Sequence, residues 1–181
     1  IHLNPVQESV QQGGDTNWAG LLKKIGRLCR TSAFPIIVKE VGAGISARVA
    51  RRLVDAGVTG IDVAGLGGTS WAAVEAARAG PMSNKLIAEA FRDWGIPTAD
   101  AIRQVRAACP GTLVIGSGGL RDGLDCAKAI RLGADMTGFA AGVLPGAVAG
   151  SQQIHERLSI LIKQLRITCF CTGSINLAAL R

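Results

Sequence analysis

The feature that most constrains the fold of this chain is a regular alternation of short apolar runs with amphipathic helical patterns. The apolar runs predict strands at Ile36–Val41, Gly60–Ala64, Thr112–Gly116 and Met136–Ala140. Short runs of this length in which apolar residues predominate are typical of strands that are covered on both faces, as in a parallel sheet. Between them, Ser46, Thr98 and Asp122 stand where a side-chain oxygen can cap the start of a helix. The alternation predicts either a doubly wound sheet or a (β/α)8 barrel.

The length of the chain decides how much of a barrel it can form. A complete barrel takes about 250 residues, whereas this chain has 181. Its first residues, Ile1-His2-Leu3-Asn4, resemble the end of a buried strand that runs into a loop. We therefore expect residues 1–181 to be the C-terminal half of a single (β/α)8 barrel domain, with about four strand–helix units and with the N-terminal half absent. The segment from Arg78 to Gly95 lengthens the second connection, and long insertions at that end of a barrel often cover substrates.

Composition narrows the class of partner. The net charge is +7, but the Lys and Arg residues are scattered and no basic run is interleaved with aromatic residues. We interpret this as a solvated basic surface and expect no nucleic-acid partner. The five cysteines show no spacing typical of zinc sites, which favours reduced thiols in a cytoplasmic protein. No apolar stretch approaches the roughly 18 residues of a membrane span.

A glycine-rich decapeptide, Asp62-Val63-Ala64-Gly65-Leu66-Gly67-Gly68-Thr69-Ser70-Trp71, follows the second predicted strand and precedes a helical pattern. Glycine permits positive φ and a close approach of the backbone. The first turn of a helix offers unpaired N–H groups that favour an anion. The motif indicates a polar, phosphorylated ligand at the carboxyl end of the strand. Glycines also serve packing alone in such turns, and both interpretations stay open at this point.

Polar side chains stand near two other strand ends. Glu8 is able to bind a hard cation through oxygen, and His2, Asn4 and Gln7 are able to donate hydrogen bonds to anionic oxygens. By itself this cluster also fits an ordinary polar loop. Lys39 lies inside an otherwise apolar strand, where a charged side chain is costly unless it reaches a partner. That partner is either a ligand anion or a neighbouring carboxylate.

A second glycine-rich turn, Gly116-Ser117-Gly118-Gly119-Leu120-Arg121-Asp122-Gly123, follows the third predicted strand, and Ala140-Ala141-Gly142 follows the fourth. In barrels, the loops after the last two strands commonly bind phosphate through backbone N–H groups. A helix N-terminus stabilises a nearby anion by about 0.3–1 kcal/mol. Two such turns side by side predict a phosphate site, and the alternative is a pair of tight connecting turns.

In this order the motifs resemble the type 2 isopentenyl-diphosphate isomerases. The segments that carry the resemblance are His2–Glu8, Gly14–Trp18, Val38–Ser46, Asp62–Trp71, Ser117–Gly123 and Cys171–Ser174. The resemblance implies an FMN-dependent barrel that interconverts isopentenyl and dimethylallyl diphosphate with reduced FMN and Mg²⁺, with NADPH as the reductant. It also implies a cytoplasmic homotetramer or homo-octamer with no membrane partner.

The resemblance assigns roles to individual residues. It implies that His2, Asn4 and Gln7 bind the substrate and that Glu8 helps to hold Mg²⁺. It implies that FMN contacts Lys39, Ala64 and Thr69, and that the FMN phosphate is surrounded by Gly118, Gly119, Leu120, Arg121, Ala140 and Ala141. No side chain is assigned as a catalytic acid or base, because the reduced flavin is expected to carry the proton.

Two departures from the family pattern and two alternatives remain. The absent N-terminal half includes an Arg-Lys substrate clamp, so we expect the half-barrel to be inactive alone. Ala64 stands where some members carry a serine that contacts the flavin. One alternative is an FMN barrel that oxidises a hydroxy acid or a nucleotide, for which a catalytic His or Cys near the flavin would be expected. The other is a non-catalytic half-barrel that binds phosphate.

Overall fold

The computed structural model describes residues 1–181, except for the side chain of Ala149. Within these residues, four parallel strands form one sheet in the order β1-β2-β3-β4. The strands are β1 (Ile37–Lys39), β2 (Gly60–Asp62), β3 (Leu113–Gly116) and β4 (Met136–Thr137). Each strand therefore pairs with the next one along the chain, whereas a doubly wound sheet reverses its order part-way. Of the two predicted architectures, the order of the strands matches that of a barrel.

Helices follow the strands as the sequence predicts. They are α1 (Pro5–Val10), α2 (Leu21–Thr31), α3 (Ala47–Asp55), α4 (Trp71–Arg78), α5 (Met82–Glu89), α6 (Thr98–Ala108), α7 (Gly123–Arg131), α8 (Leu144–Ala149) and α9 (Ser151–Cys171). The segment that lengthens the second connection contains α5. None of the helices in the described part of the chain combines the length and hydrophobicity needed to cross a membrane.

The strands are shorter than the apolar runs predict, and the first shows why. β1 ends at Lys39, because the carboxylate of Glu40 accepts hydrogen bonds at 2.5–2.7 Å from the backbone N–H groups of the next three residues. These bonds turn the chain away from the sheet. Glu40 is 4% exposed, so a carboxylate inside an apolar run here replaces the strand by a tight turn.

Two of the three predicted helix caps are confirmed. Ser46 Oγ accepts a hydrogen bond from the N–H of Val49 at 3.3 Å, and Asp122 Oδ1 accepts one from the N–H of Asp125 at 2.9 Å. The third prediction is wrong, because Thr98 is the first residue of α6 and not its cap. The Thr98 hydroxyl donates instead to the carbonyl oxygen of Gly118, in the loop after β3, at 2.6 Å.

The core lies between the sheet and its helices. Strand register places Val38, Ile61 and Val114 in one row across three strands, and all three are fully buried. Burying such a side chain stabilises the fold by about 1.5–3 kcal/mol. Because successive residues of a strand point to opposite faces, the next row, which contains Lys39 and Asp62, faces the other side of the sheet.

The first residues extend the sheet. Leu3 N–H donates to the carbonyl of Lys39 at 2.6 Å, and Lys39 N–H donates to the carbonyl of Ile1 at 2.8 Å. His2 and Lys39 thus form a parallel bridge. The predicted end of a buried strand is present only as this single bridge, and Ile1 and His2 are exposed.

An ion pair connects the elements at the amino ends of β3 and β4. The guanidinium of Arg106, on α6, donates to Asp135 Oδ2 at 2.5 Å and to the carbonyls of Gly133 and Thr112 at 2.8 and 3.0 Å. Asp135 also accepts the N–H of Val114 at 2.8 Å. Partial burial raises the pKa of Asp135. The Val114 N–H and the neighbouring guanidinium groups together lower this pKa by more than burial raises it, so it lies below its ordinary value. This network joins α6 to β3 and β4.

Replacing Arg106 by Met is expected to lower the free energy of unfolding by about 2 kcal/mol, because it leaves half-buried acceptors without their donor. Arg103→Met is the matched control, since Arg103 is on the same helix and forms an exposed ion pair with Asp100. Their side chains are 58% and 47% exposed, against 23% and 27% for Arg106 and Asp135. The control should change stability by less than about 0.5 kcal/mol. Urea unfolding measures both variants, and equal losses would contradict this account.

Candidate functional site

The candidate site lies at the carboxyl ends of the strands, where the sheet's pairing continues into the loops. Gly44 N–H donates to the carbonyl of Ala64 at 3.0 Å, and Gly65 N–H donates to the carbonyl of Ser117 at 2.9 Å. Gly138 N–H donates to Gly116 at 3.0 Å. The loops after all four described strands are therefore held side by side at one end of the sheet, which is the end where barrels bind ligands.

The glycines of the two predicted motifs bring their backbones into direct contact. A Cβ added to Gly118 would lie 2.2 Å from the carbonyl oxygen of Gly65, and one added to Gly119 would lie 2.2 Å from that of Gly67. Gly118 and Gly119 also have φ values of +103° and +76°. Packing alone therefore requires glycine at both positions.

The same loop leaves donors open. The N–H groups of Gly118, Gly119 and Leu120 form no hydrogen bond within the described part of the chain. A Cβ at Gly68 would lie 2.8 Å from the nitrogen of Gly119, so a side chain at position 68 would crowd this nitrogen. Consecutive backbone N–H groups of this kind form concave anion sites. The loop thus fits a phosphate group as well as serving packing.

The remaining residues predicted to surround the phosphate lie nearby in the topology. Ala140 and Ala141 follow β4, which pairs with β3 through Gly116 and Thr137. Both alanines are exposed. Arg121 follows the open loop, but its guanidinium donates to Asp125 Oδ2 at 2.9 Å, and this pairing lowers the pKa of Asp125. Its charge is therefore shared with a neighbour on α7.

Lys39, Ala64 and Thr69 lie at the ends of β1 and β2. The half-buried Lys39 donates from Nζ to the carbonyl oxygen of Glu40, and it forms no ion pair with a carboxylate among the described residues. Ala64 is buried and has a φ of +37°. Thr69 is exposed, and its carbonyl oxygen would lie 2.7 Å from a Cβ at Gly42. The structure places all three at the predicted end of the sheet.

Asp62 supports this arrangement, although sequence reasoning gave it no role of its own. Its Oδ1 accepts the hydroxyl of Ser117 at 2.5 Å and the N–H of Ala64 at 3.3 Å. The carboxylate thus ties the end of β2 to the loop after β3. A positive φ at alanine is strained, and the bond from Asp62 to the Ala64 N–H helps to hold it.

The amide and carboxylate side chains of α1 form a second cluster. Asn4 Nδ2 donates to Gln7 Oε1 at 3.0 Å and to Glu8 Oε1 at 2.8 Å. Gln7 Nε2 donates in turn to Glu75 Oε1, on α4, at 3.1 Å. His2 is exposed at the adjoining edge of β1. The structure thus brings together three of the four residues predicted here and adds Glu75, which sequence reasoning missed.

Glu75 does have a signal in the sequence. It is 8% exposed and lies between Ala72 and Ala76, which are buried on the same face of α4. A carboxylate at helical spacing with small apolar residues is a buried acid that needs polar partners. Here the partners are Gln7 and the guanidinium of Arg78, which lies 3.4 Å away.

Glu8 is held in its charged form. Its Oε2 accepts hydrogen bonds from Asp15 N–H at 2.8 Å and from Gln11 Nε2 at 2.7 Å. The Asp15 N–H, and after it the Asn4 amide, lower the pKa of Glu8 below its ordinary value. An ionised carboxylate suits a hard cation. Since the described residues contain no group of three or more His, Cys, Asp or Glu side chains that would hold a metal, a cation here would take most of its ligands from elsewhere.

A separate cavity of about 670 Å³ lies between α2 and α3. It is lined mainly by apolar side chains, among them Leu21, Ile25 and Leu53, with Trp18 and Trp94 at its sides. None of the residues predicted to bind substrate, flavin or metal lines it. It nevertheless borders the candidate site, because Pro5 and Val6 of α1 and Gly44 of the loop after β1 line it.

Comparison with protein families decides the class to which the chain belongs. A family model described as FMN-dependent dehydrogenase matches residues 6–181. The chain belongs to the FMN-dependent dehydrogenase family. Within it, the chain is 62% identical over 181 residues to an isopentenyl-diphosphate delta-isomerase of Stutzerimonas stutzeri, and 55% identical to that of Xanthobacter autotrophicus. The resemblance seen in the motifs is thereby confirmed. The chain spans about half, 52%, of the length of these two relatives.

Solved structures of other proteins show which fold this chain has. A lactate oxidase of Pediococcus acidilactici matches 88% of this chain and 38% of its own, with a TM-score of 0.66 and 21% identity. A mandelate oxidase matches 88% of this chain and 41% of its own, with a TM-score of 0.66 and 24% identity. Both neighbours are (β/α)8 barrels. The chain is therefore part of such a barrel, and the predicted fold class is confirmed.

Acidification is expected to loosen the segment after α1. Because the pKa of Glu8 is lowered, its hydrogen bonds stabilise the fold above the ordinary glutamate pKa of 4.5 and are lost as the pH falls through the still lower folded-state value. Trp18, whose Nε1 donates to the Asp15 carbonyl at 2.7 Å, is the reporter.

Its fluorescence should change with a midpoint below pH 4.5. The measurement uses a background with Trp71→Phe and Trp94→Phe. Glu8→Gln in that background is the control and should lack the transition, so an identical transition in the control would contradict the assignment to Glu8.

Proposed function

We propose that this chain is the part of an isopentenyl-diphosphate isomerase that binds the FMN phosphate and the substrate diphosphate. One observation carries the proposal. The Asn4–Gln7–Glu8 cluster and the open N–H groups of Gly118 to Leu120 stand at the same end of one parallel sheet. The relatives named isopentenyl-diphosphate delta-isomerase, at 49–62% identity, support it.

The α1 cluster would bind the diphosphate. Gln7 and Asn4 present amide groups and His2 an imidazole, which are group types that donate to anionic oxygens. The Asn4 amide would first have to exchange one of its two bonds to Gln7 and Glu8. Glu8 would hold Mg²⁺, which keeps several waters and takes one or two carboxylates together with phosphate oxygens. This coordination suits a site with one ionised carboxylate. Glu75 would fix the Gln7 amide, because it accepts from Nε2 at 3.1 Å.

The strand ends would bind the flavin. Lys39, Ala64 and Thr69 would contact FMN, with the Lys39 ammonium able to balance negative charge. The open N–H groups of Gly118, Gly119 and Leu120 would receive the phosphate, with Arg121, Ala140 and Ala141 around it. When bound, reduced FMN supplies the proton transfer for which these residues offer no acid–base pair.

The wider setting is also proposed from the relatives. Residues 1–181 would form the C-terminal half of one barrel domain, because the relatives are about twice as long. We propose a cytoplasmic homotetramer or homo-octamer, with NADPH as the source of the reducing electrons. None of the described helices could span a membrane.

A second candidate is oxidation of a hydroxy acid, which the family name and the two oxidase structures favour. Such chemistry would call for a His or Cys near the flavin. Of the two histidines, His155 is on α9, and His2, which lies beside the α1 cluster, is proposed to bind the substrate. Bleaching of the oxidised flavin by a hydroxy acid, with no isomerisation, would establish this alternative.

The full-length protein is expected to isomerise isopentenyl diphosphate only with reduced FMN and Mg²⁺. Conversion to dimethylallyl diphosphate, followed by NMR, measures this. Oxidised FMN and excess chelator are the two controls, and each should abolish turnover. Activity without flavin would refute the proposal.

Replacing Glu8 by Gln is expected to lower turnover by about 100-fold or more, because the variant loses the charge that holds the cation. FMN affinity should change by less than about twofold, since Glu8 is assigned to the diphosphate. Glu89→Gln, at an exposed pair on α5, is the control and should leave both unchanged. Loss of flavin from a folded Glu8→Gln variant would contradict the assignment.

A further inference from the structure

We propose that Thr98 is a positioning residue that aims the N–H of Gly119 at the flavin phosphate. The inference rests on the proposed binding of FMN and adds a residue that no motif assigned to it. Thr98 is the first residue of α6, and it follows shortly after the long insertion of residues 78–95. Its role follows from hydrogen bonds and from the planarity of the peptide group.

The Thr98 hydroxyl lies among carbonyl oxygens of both glycine-rich loops. Oγ1 donates to Gly118 at 2.6 Å, and it lies 3.3 Å from the carbonyl oxygen of Leu66 and 3.4 Å from that of Ser117. The backbone fixes its place, because Thr98 N–H donates to the Leu66 carbonyl at 3.1 Å. The hydroxyl therefore stands at a defined point beneath the loop after β3.

Fixing the carbonyl of Gly118 fixes the N–H of Gly119. The two groups belong to one planar trans peptide unit and point in opposite directions. With the carbonyl directed at Thr98, the N–H of Gly119 is directed away from it. This nitrogen lies next to Gly68, where an added Cβ would crowd it at 2.8 Å.

The preceding peptide is held in the same way. The carbonyl of Ser117 accepts the N–H of Gly65 at 2.9 Å, so the N–H of Gly118 also points away from the neighbouring loop. In two consecutive peptide units the carbonyl oxygen thus accepts a hydrogen bond, and the N–H of the same unit points in the opposite direction. Neither of these two N–H groups forms a hydrogen bond within the described part of the chain.

Such control matters because the peptide lies between two glycines. Glycine adopts positive and negative φ with similar ease, so the Gly118–Gly119 peptide is able to flip at low cost. A flipped peptide would present a carbonyl oxygen, and not an N–H, to a phosphate. The bond from Thr98 selects the orientation that attracts an anion.

The test compares Thr98→Val, which keeps the shape and removes the hydroxyl, with Thr98→Ser, which keeps the hydroxyl. Affinities of the full-length protein for FMN and for riboflavin, which lacks the phosphate, are measured by quenching of flavin fluorescence. We expect Thr98→Val to weaken FMN binding by about 10-fold and to leave riboflavin binding unchanged. Thr98→Ser should retain the wild-type preference for FMN.

The outcomes separate this inference from the function it rests on. Wild-type protein that binds neither flavin, or both equally, overturns the proposed phosphate site and Thr98's role with it. If the wild type prefers FMN, then an equal loss of both flavins in Thr98→Val, or no loss of either, overturns the positioning role alone. Thr98→Ala removes the hydroxyl without the branched side chain, and the same readout applies to it if Thr98→Val does not fold.

Discussion

The structure depends on direct contact between two backbone segments, the loop Gly65–Gly68 after β2 and the loop Ser117–Gly119 after β3. No side chain separates them, since a Cβ on Gly118 or Gly119 would lie 2.2 Å from a carbonyl oxygen of the facing loop. This contact extends the parallel pairing beyond the last ladder residue. The second loop also contains consecutive backbone donors that form no hydrogen bond among the described residues, an arrangement that suits an anion. One set of glycines thus serves packing and, under the proposed function, phosphate binding as well.

The ends of the sheet divide these tasks. At the amino ends of β3 and β4, Arg106 and Asp135 connect elements through charged hydrogen bonds that do not involve the candidate site. At the carboxyl ends, Asp62 and Ser117 connect β2 and β3 next to it. In barrels, the amino-terminal face generally serves stability and the opposite face chemistry. Here the Asp135 carboxylate binds Arg106 and Val114 at the amino ends, whereas the Asp62 carboxylate binds Ser117 at the carboxyl ends.

Much of this could be predicted from the sequence, because local rules govern the parts in question. Apolar runs set the strands, and Ser46 and Asp122 cap helices through partners three residues away. Thr98 does not cap its helix in this way, because the acceptor of its hydroxyl is 20 residues away, in another loop. Glu75 was missed for a similar reason, because its partner Gln7 is 68 residues distant. Local pattern shows that a polar group is buried, but the fold supplies its partner.

The bridge between Leu66 and Pro97 has a consequence for how this region tolerates change. The chain leaves the sheet at Leu66, forms α4 and α5, and returns beside its point of departure, where the Leu66 N–H donates to the Ile96 carbonyl at 2.8 Å. The excursion therefore begins and ends at one fixed junction. The closure entropy of a loop grows only slowly with its length. Evolution is thus free to lengthen, shorten or replace the part around α5 as a module, while Thr98 and the glycine loops keep their places.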